Sequence, residues 1–179
     1  MAAKSYLRML AGRLQQVAAT VISRGSANGG DLVALGDDGK LHSSVLPSGV
    51  GANTQVIPAS ELIGAGKFVN YWKDSSSGSA VLKIRLADNS NGRRADGFVL
   101  DQVASGANGT VYPLDQVNSA LSALDAGTDY FLGTAGGVTA TPLDETSTDN
   151  QGKGKITQFL GVAKSTTELI TSDSQAVTL

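Results

Sequence analysis

Few residues of this 179-residue chain have the type and spacing to do chemistry. There is no cysteine, which removes disulfides, thiolate metal sites and cysteine nucleophiles together. His42 is the single histidine, so one chain cannot build a histidine metal pair, and its Ser-rich surroundings suit a solvated side chain. Gly64-Ala65-Gly66-Lys67-Phe68 ends like a phosphate-binding loop. Glu61, however, stands where that loop should open on glycine, and Phe68 replaces the hydroxyl that would hold magnesium. Asp88-Asn89-Ser90-Asn91-Gly92 begins like a calcium loop, but the twelfth position is Val99 rather than a bidentate Glu, so a turn is expected. No G-x-S-x-G nucleophile elbow occurs, and the acidic residues are scattered. Arg93-Arg94 is the one basic pair beyond the N-terminal region and suits a soluble turn. Asn108-Gly109-Thr110 has the form of a glycosylation acceptor and is expected to be only a turn. Trp72, Tyr71 and Tyr112 offer faces on which sugars stack, although such aromatics also serve as core. An enzyme is disfavoured, and neither a cofactor nor a metal is expected.

The elements that would carry these residues read as mainly β. Phe68–Trp72 is rich in strand-forming types. Over Val81–Leu86, Val81, Lys83 and Arg85 alternate with Leu82, Ile84 and Leu86, which puts one face on a core and one in water. Asp74–Ser79 and Asp88–Gly92 read as turns. Further strands are expected at Phe98-Val99, Thr110–Tyr112, Asp129–Leu132, Val138–Thr141, Ile156–Ala163 and Glu168–Ile170, with a surface loop over Asp144–Lys155. Short strands at near-regular spacing predict a small β-barrel or sandwich body.

Ahead of that body the pattern changes. Leu7, Leu10, Leu14, Val17 and Val21 are spaced three, four, three, four, as along an amphipathic helix ended by Gly25. The expected organisation is therefore an N-terminal amphipathic helix over residues 1–25, an extended connector with a β-hairpin over 26–55, and a β-rich body over 56–179. Lys4, Arg8, Arg13 and Arg24 precede any acid, leaving ten basic groups against sixteen acidic ones from residue 25 onward. A basic helix joined to an acidic body suits oligomerisation or docking on a protein partner, with Leu41, Val45, Leu46 and Pro47 as the apolar points of the connector. A net charge of −2 argues against nucleic-acid binding, and no apolar run approaches the roughly 20 residues of a bilayer span. The helix lacks Trp or Phe membrane anchors, and the N-terminus lacks the continuous apolar segment of a signal peptide.

One ordered series carries a family resemblance: Ser60-Glu61, Ala65–Asn70, Arg85–Asp88, Ala95–Val99, Ala104–Gly106, Ala126–Leu132, Gly136-Gly137 and Gln158–Ala163. It resembles the small β-rich domain of tailed-bacteriophage virion proteins, notably capsid decoration (cement) proteins and head-fibre modules. Gly30–Leu35 through Gly39–Leu41 to Ser44–Pro47 is similar to a connector of phage fibre and appendage proteins. The resemblance implies a β-barrel-like fold, no catalysis, a location on the virion exterior after synthesis in the host cytoplasm, and a homo-oligomer, in the first place a trimer. It also implies the major capsid protein or neck and collar proteins as partners. A collar, neck or fibre appendage is the alternative placement, and a glycan-binding module a third reading.

Overall fold

The computed structural model describes residues 4–37, 39–46, 53–75 and 78–179. They fall into two compact units, Met1–Ala52 and Asn53–Leu179.

In the N-terminal unit the expected helix is absent. Strands β1 (Ser5–Leu10) and β2 (Arg13–Ala18) form an antiparallel hairpin, pairing Ser5 with Ala18, Leu7 with Gln16 and Met9 with Leu14. The turn is Ala11-Gly12, with φ of 49° and 78°. Two successive left-handed residues match the twist of a two-residue hairpin. A helix would instead carry Gly12 in its interior, at a cost of about 1 kcal/mol. The seven-residue spacing misleads here, because folding back at residues 11 and 12 also brings Leu7 and Leu14 to one face. Val17 pairs with Tyr6 on the other. After β2 the chain is held by single links. Thr20 bridges Val33 in parallel, and Gly25–Asn28 and Ser43–Val45 are short 3-10 turns. The β-hairpin expected within residues 26–55 forms no ladder among the described residues, although Gly36 N donates to Lys40 O (2.7 Å) and Gly39 N to Gly36 O (3.1 Å).

The second unit is built from two five-stranded antiparallel sheets. The first contains β3 (Gln55–Pro58), β4 (Phe68–Asp74), β5 (Val81–Leu86), β6 (Gly97–Val99) and β7 (Asn108–Tyr112), in the order β3-β7-β6-β4-β5. Alternation along β4, β6 and β7 sends Val69, Val99 and Val111 into one core cluster, with Ile57, Ile63 and Ile84. It sends Phe68 and Phe98 into another. That second cluster is shared with Tyr130, Leu132, Leu160 and Leu169 of the other sheet. The other sheet has the order β10-β9-β12-β13-β8, from β8 (Val117–Asn118), β9 (Asp129–Leu132), β10 (Val138–Thr139), β12 (Phe159–Ala163) and β13 (Leu169–Thr171). A two-stranded ladder joins β11 (Ile156–Thr157) to β14 (Val177–Thr178).

No closed barrel forms among the described residues, contrary to one expectation. The first sheet curls until Ala59, just after β3, bridges Ile84 of β5, and the ladder stops there. The reason is local. Ser60 N donates to Ile84 O (2.8 Å), and the Glu61 carboxylate accepts from Leu86 N (2.8 Å). A residue and a carboxylate satisfy the edge of β5 where another strand would otherwise lie. The turn expected from Asp74 begins later, because Asp74 closes β4 and pairs with Lys83 (2.6 Å).

Candidate functional site

The residues singled out for association lie in the N-terminal unit, and hairpin geometry redistributes them. Leu7, Met9 and Leu14 share one face at 66%, 66% and 64% exposure. Val17 and Val21 are half-buried, and Leu10 lies in backbone register with Arg13. No residue of this unit whose side chain is described is buried. Ile22, Leu32, Val33, Leu35 and Leu41 are exposed as well, each by about half or more. Val45 and Leu46 are half-buried at the second 3-10 turn, and Pro47 lies outside the described residues.

Polar links hold this unit in place of a core. Thr20 Oγ1 and Asn28 Nδ2 both donate to Asp31 Oδ2 at 2.9 Å, and Arg24 N donates to Asn28 Oδ1 at 2.7 Å. Hydrogen bonds from Asn28 and Thr20, aided by the nearby Arg8 charge, hold the Asp31 carboxyl below its ordinary range. Lys4 donates to Leu35 O and pairs with Asp37 at 3.5 Å across solvent. Among the described residues Arg8, Arg13 and Arg24 have no ion-pair partner. The Tyr6 hydroxyl is covered and has no hydrogen-bond partner among the described residues. His42 Nδ1 meets Ser44 Oγ at 2.9 Å on the surface, and Ser44 Oγ also accepts from Ser23 N.

In the second unit the chemistry-bearing residues serve the fold. Gly66 is a packing glycine: a Cβ there would lie 2.2 Å from Ala120 O, and its N–H already donates to Val99 O. That leaves no cradle for a phosphate. Asp88 accepts from Ser90 N and Oγ at one oxygen and from Ala135 N at the other, tying the Asp88–Gly92 turn to the β9–β10 hairpin. Burial works against its charge, but these hydrogen bonds and Arg93 hold the carboxyl below its ordinary range. Two of the three candidate stacking aromatics are already occupied. Tyr112 stacks on Phe98 with ring centroids 5.6 Å apart, while Trp72 lies under the Arg85 guanidinium (5.1 Å) and donates to Ser60 Oγ. Arg94 is paired with Asp96 at 2.7 Å.

No protein-family model matches the sequence, and no curated protein matches it in sequence. Among solved structures the chain is similar to the N-terminal base of the head fibre gp8.5 of bacteriophage phi29. Identity is 16% and the TM-score 0.42, over 68% of this chain and 95% of that one. At that level the likeness assigns neither a family nor a function. Among the described residues no helix is long and apolar enough to cross a membrane.

The residues missed by sequence reasoning are Met9, which completes the apolar hairpin face, and Asn28 and Asp31, which stitch the unit. The Ala11-Gly12 pair was their one signal, weaker than Asn-Gly because alanine disfavours positive φ.

Proposed function

We propose that this chain is a structural protein of a tailed-bacteriophage virion that decorates and stabilises the capsid exterior as a homo-oligomer, in the first place a trimer. One observation carries this reading: the N-terminal unit has no buried residue whose side chain is described, yet holds Leu7, Met9 and Leu14 on one exposed hairpin face. A two-stranded hairpin without a core is marginal in water and gains its stability from what covers it. Copies of the same chain are the simplest cover. The resemblance of Ser60-Glu61 through Gln158–Ala163 to virion decoration domains supports the location, and a well-cored body suits a part that only has to be rigid. Several weak contacts in one oligomer then add through avidity.

The alternative placement is at the collar, neck or a fibre, and the charges bear on the partner in both. Among the described residues Arg8, Arg13 and Arg24 have no ion pair, and they suit an acidic partner surface, an attraction that falls with salt. In either placement no catalysis is expected.

The deciding measurement is the mass in solution, by light scattering, of the full chain, of the full chain carrying Leu7→Ser, Met9→Ser and Leu14→Ser, and of residues 53–179. The reading expects an oligomer that becomes monomeric in both altered forms. A full-length monomer at every concentration sinks self-association. Co-sedimentation with empty capsids of the encoding phage separates capsid decoration from a neck or fibre role.

A further inference from the structure

A cleft of about 360 Å³ opens in the second unit between Arg94–Asp96 and the C-terminal segment Asp173–Ala176, with Tyr71 on its side. Its floor is fixed by Gln158, only 2% exposed. Gln158 Oε1 accepts from Ala95 N (2.8 Å), and its Nε2 donates to Ala95 O and to Ser174 O (3.0 Å each). One buried amide therefore holds both walls at a set separation. Asp96 is fixed as well: its Oδ2 accepts from Tyr71 N (2.8 Å) and Asn70 Nδ2 (3.0 Å), and its Oδ1 from Arg94 Nε (2.7 Å).

Around this rigid frame polar groups stand unused. Among the described residues the Asp173 carboxylate and the Gln175 amide have no hydrogen-bond or ion-pair partner, and Arg94 is bound only through Nε. Side-chain amides, carboxylates and guanidinium groups are planar, and together they offer paired donors and acceptors. The volume falls near the lower end of the roughly 300–1,000 Å³ of small-molecule sites, suiting one ring rather than an extended ligand. With Arg94 compensated by Asp96, Asp173 leaves the cleft with one excess negative charge.

We infer that this cleft is a binding site for an uncharged saccharide ring, whose hydroxyls donate to the Asp173 carboxylate and accept from Arg94, with the Gln175 amide doing both. Of the aromatic platform expected of Trp72, Tyr71 and Tyr112 only Tyr71 borders this cleft, and the site does not depend on the association of the N-terminal unit. The excess negative charge excludes sugar acids.

Saturation-transfer NMR on the full chain with glucose, galactose, N-acetylglucosamine and glucuronic acid tests this. Transfer to at least one uncharged sugar and none to glucuronic acid is expected. Asp173→Ala with Gln175→Ala should weaken the transfer about tenfold, the loss of hydrogen bonds to a charged and a neutral group. The melting temperature should not move, because both side chains are exposed and unpartnered. Asp173→Lys should silence the uncharged sugar and admit glucuronic acid. Asp149→Ala, outside the cleft, should change nothing. Silence from every uncharged sugar, transfer that survives the double substitution, or equal transfer to glucuronic acid would each overturn the assignment.

Discussion

The two units solve the same problem, stabilising short antiparallel strands, in opposite ways. In Asn53–Leu179 the strands β4, β6 and β7 send side chains to both of two core clusters, and Phe68, Val69, Phe98 and Val99 all have zero exposure. In Met1–Ala52 the strands are equally regular, with six paired residues each, but Leu7, Met9 and Leu14 are largely exposed, no described side chain is buried, and the links are polar. Backbone pairing is thus cheap to specify and contributes little alone; burial is what distinguishes a self-sufficient unit from one that waits for a partner. The same substitution should therefore act differently in the two units.

The largest difference is expected from core truncation. Phe98→Ala should cost about 3–5 kcal/mol, read as an early chemical-denaturation midpoint. Leu14→Ala should move the body's midpoint by less than about 0.5 kcal/mol, and a body equally sensitive to Leu14→Ala would remove the distinction. Next comes Gly161, at φ 147°, where a Cβ would lie 2.0 Å from Ile170 O, at the bulge between β12 and β9. Gly161→Ala should destabilise by about 2–3 kcal/mol, whereas Gly12→Ala, strained in φ but with open space around it, should cost about 1 kcal/mol and only in the hairpin.

A smaller, pH-dependent effect separates two depressed carboxyls. The folded pKa of Asp88 lies below the ordinary 3.8, so its contribution is fully present above that value and is lost as pH falls through the folded one. Asp88→Asn should flatten the fall of body stability below about pH 4, followed by thermal melts across pH. Asp31, also depressed, lies in the other unit, and Asp31→Asn should leave the body's acid profile unchanged. The smallest effect is expected at Ala11. Ala11→Gly relieves a left-handed alanine and should raise the amide-exchange protection of β1 and β2 by under about 1 kcal/mol. An unchanged protection pattern would mean that the turn does not limit the hairpin.

Much of the body was legible. The runs Phe68–Trp72, Val81–Leu86 and Asp129–Leu132 are bounded by Gly, Asn, Asp and Ser, and they appear as β4, β5 and β9. The short strands β8 and β14 were not, because Val117–Asn118 and Val177–Thr178 are two residues long and carry no period of their own. No strand forms over residues 120–124. Leu124 fills the core from a loop whose backbone is tied by Asn118 Oδ1 to Ala120 N. At the N-terminus the Leu spacing pointed to a helix because its period cannot distinguish a seam from a hairpin folded at its midpoint. For the cleft the sequence offered Tyr71 and Arg94 but nothing to bring Asp173 and Gln175 beside them.

The sequence by itself determined that the body is mainly β, that its turns fall at Gly, Asn and Asp, and that cysteine and paired-histidine chemistry are closed to it. Those follow from local φ preferences and from residue inventory, which need no distant neighbour. Only the tertiary structure decided that residues 5–18 form a hairpin and that Glu61 halts the curl of the first sheet short of a barrel. It also decided that Gln158 draws residue 95 and residue 174 to opposite walls of one cleft. Each of those depends on a contact between residues far apart in the chain or on a pair of turn angles, and neither leaves a periodic trace in the order of amino acids.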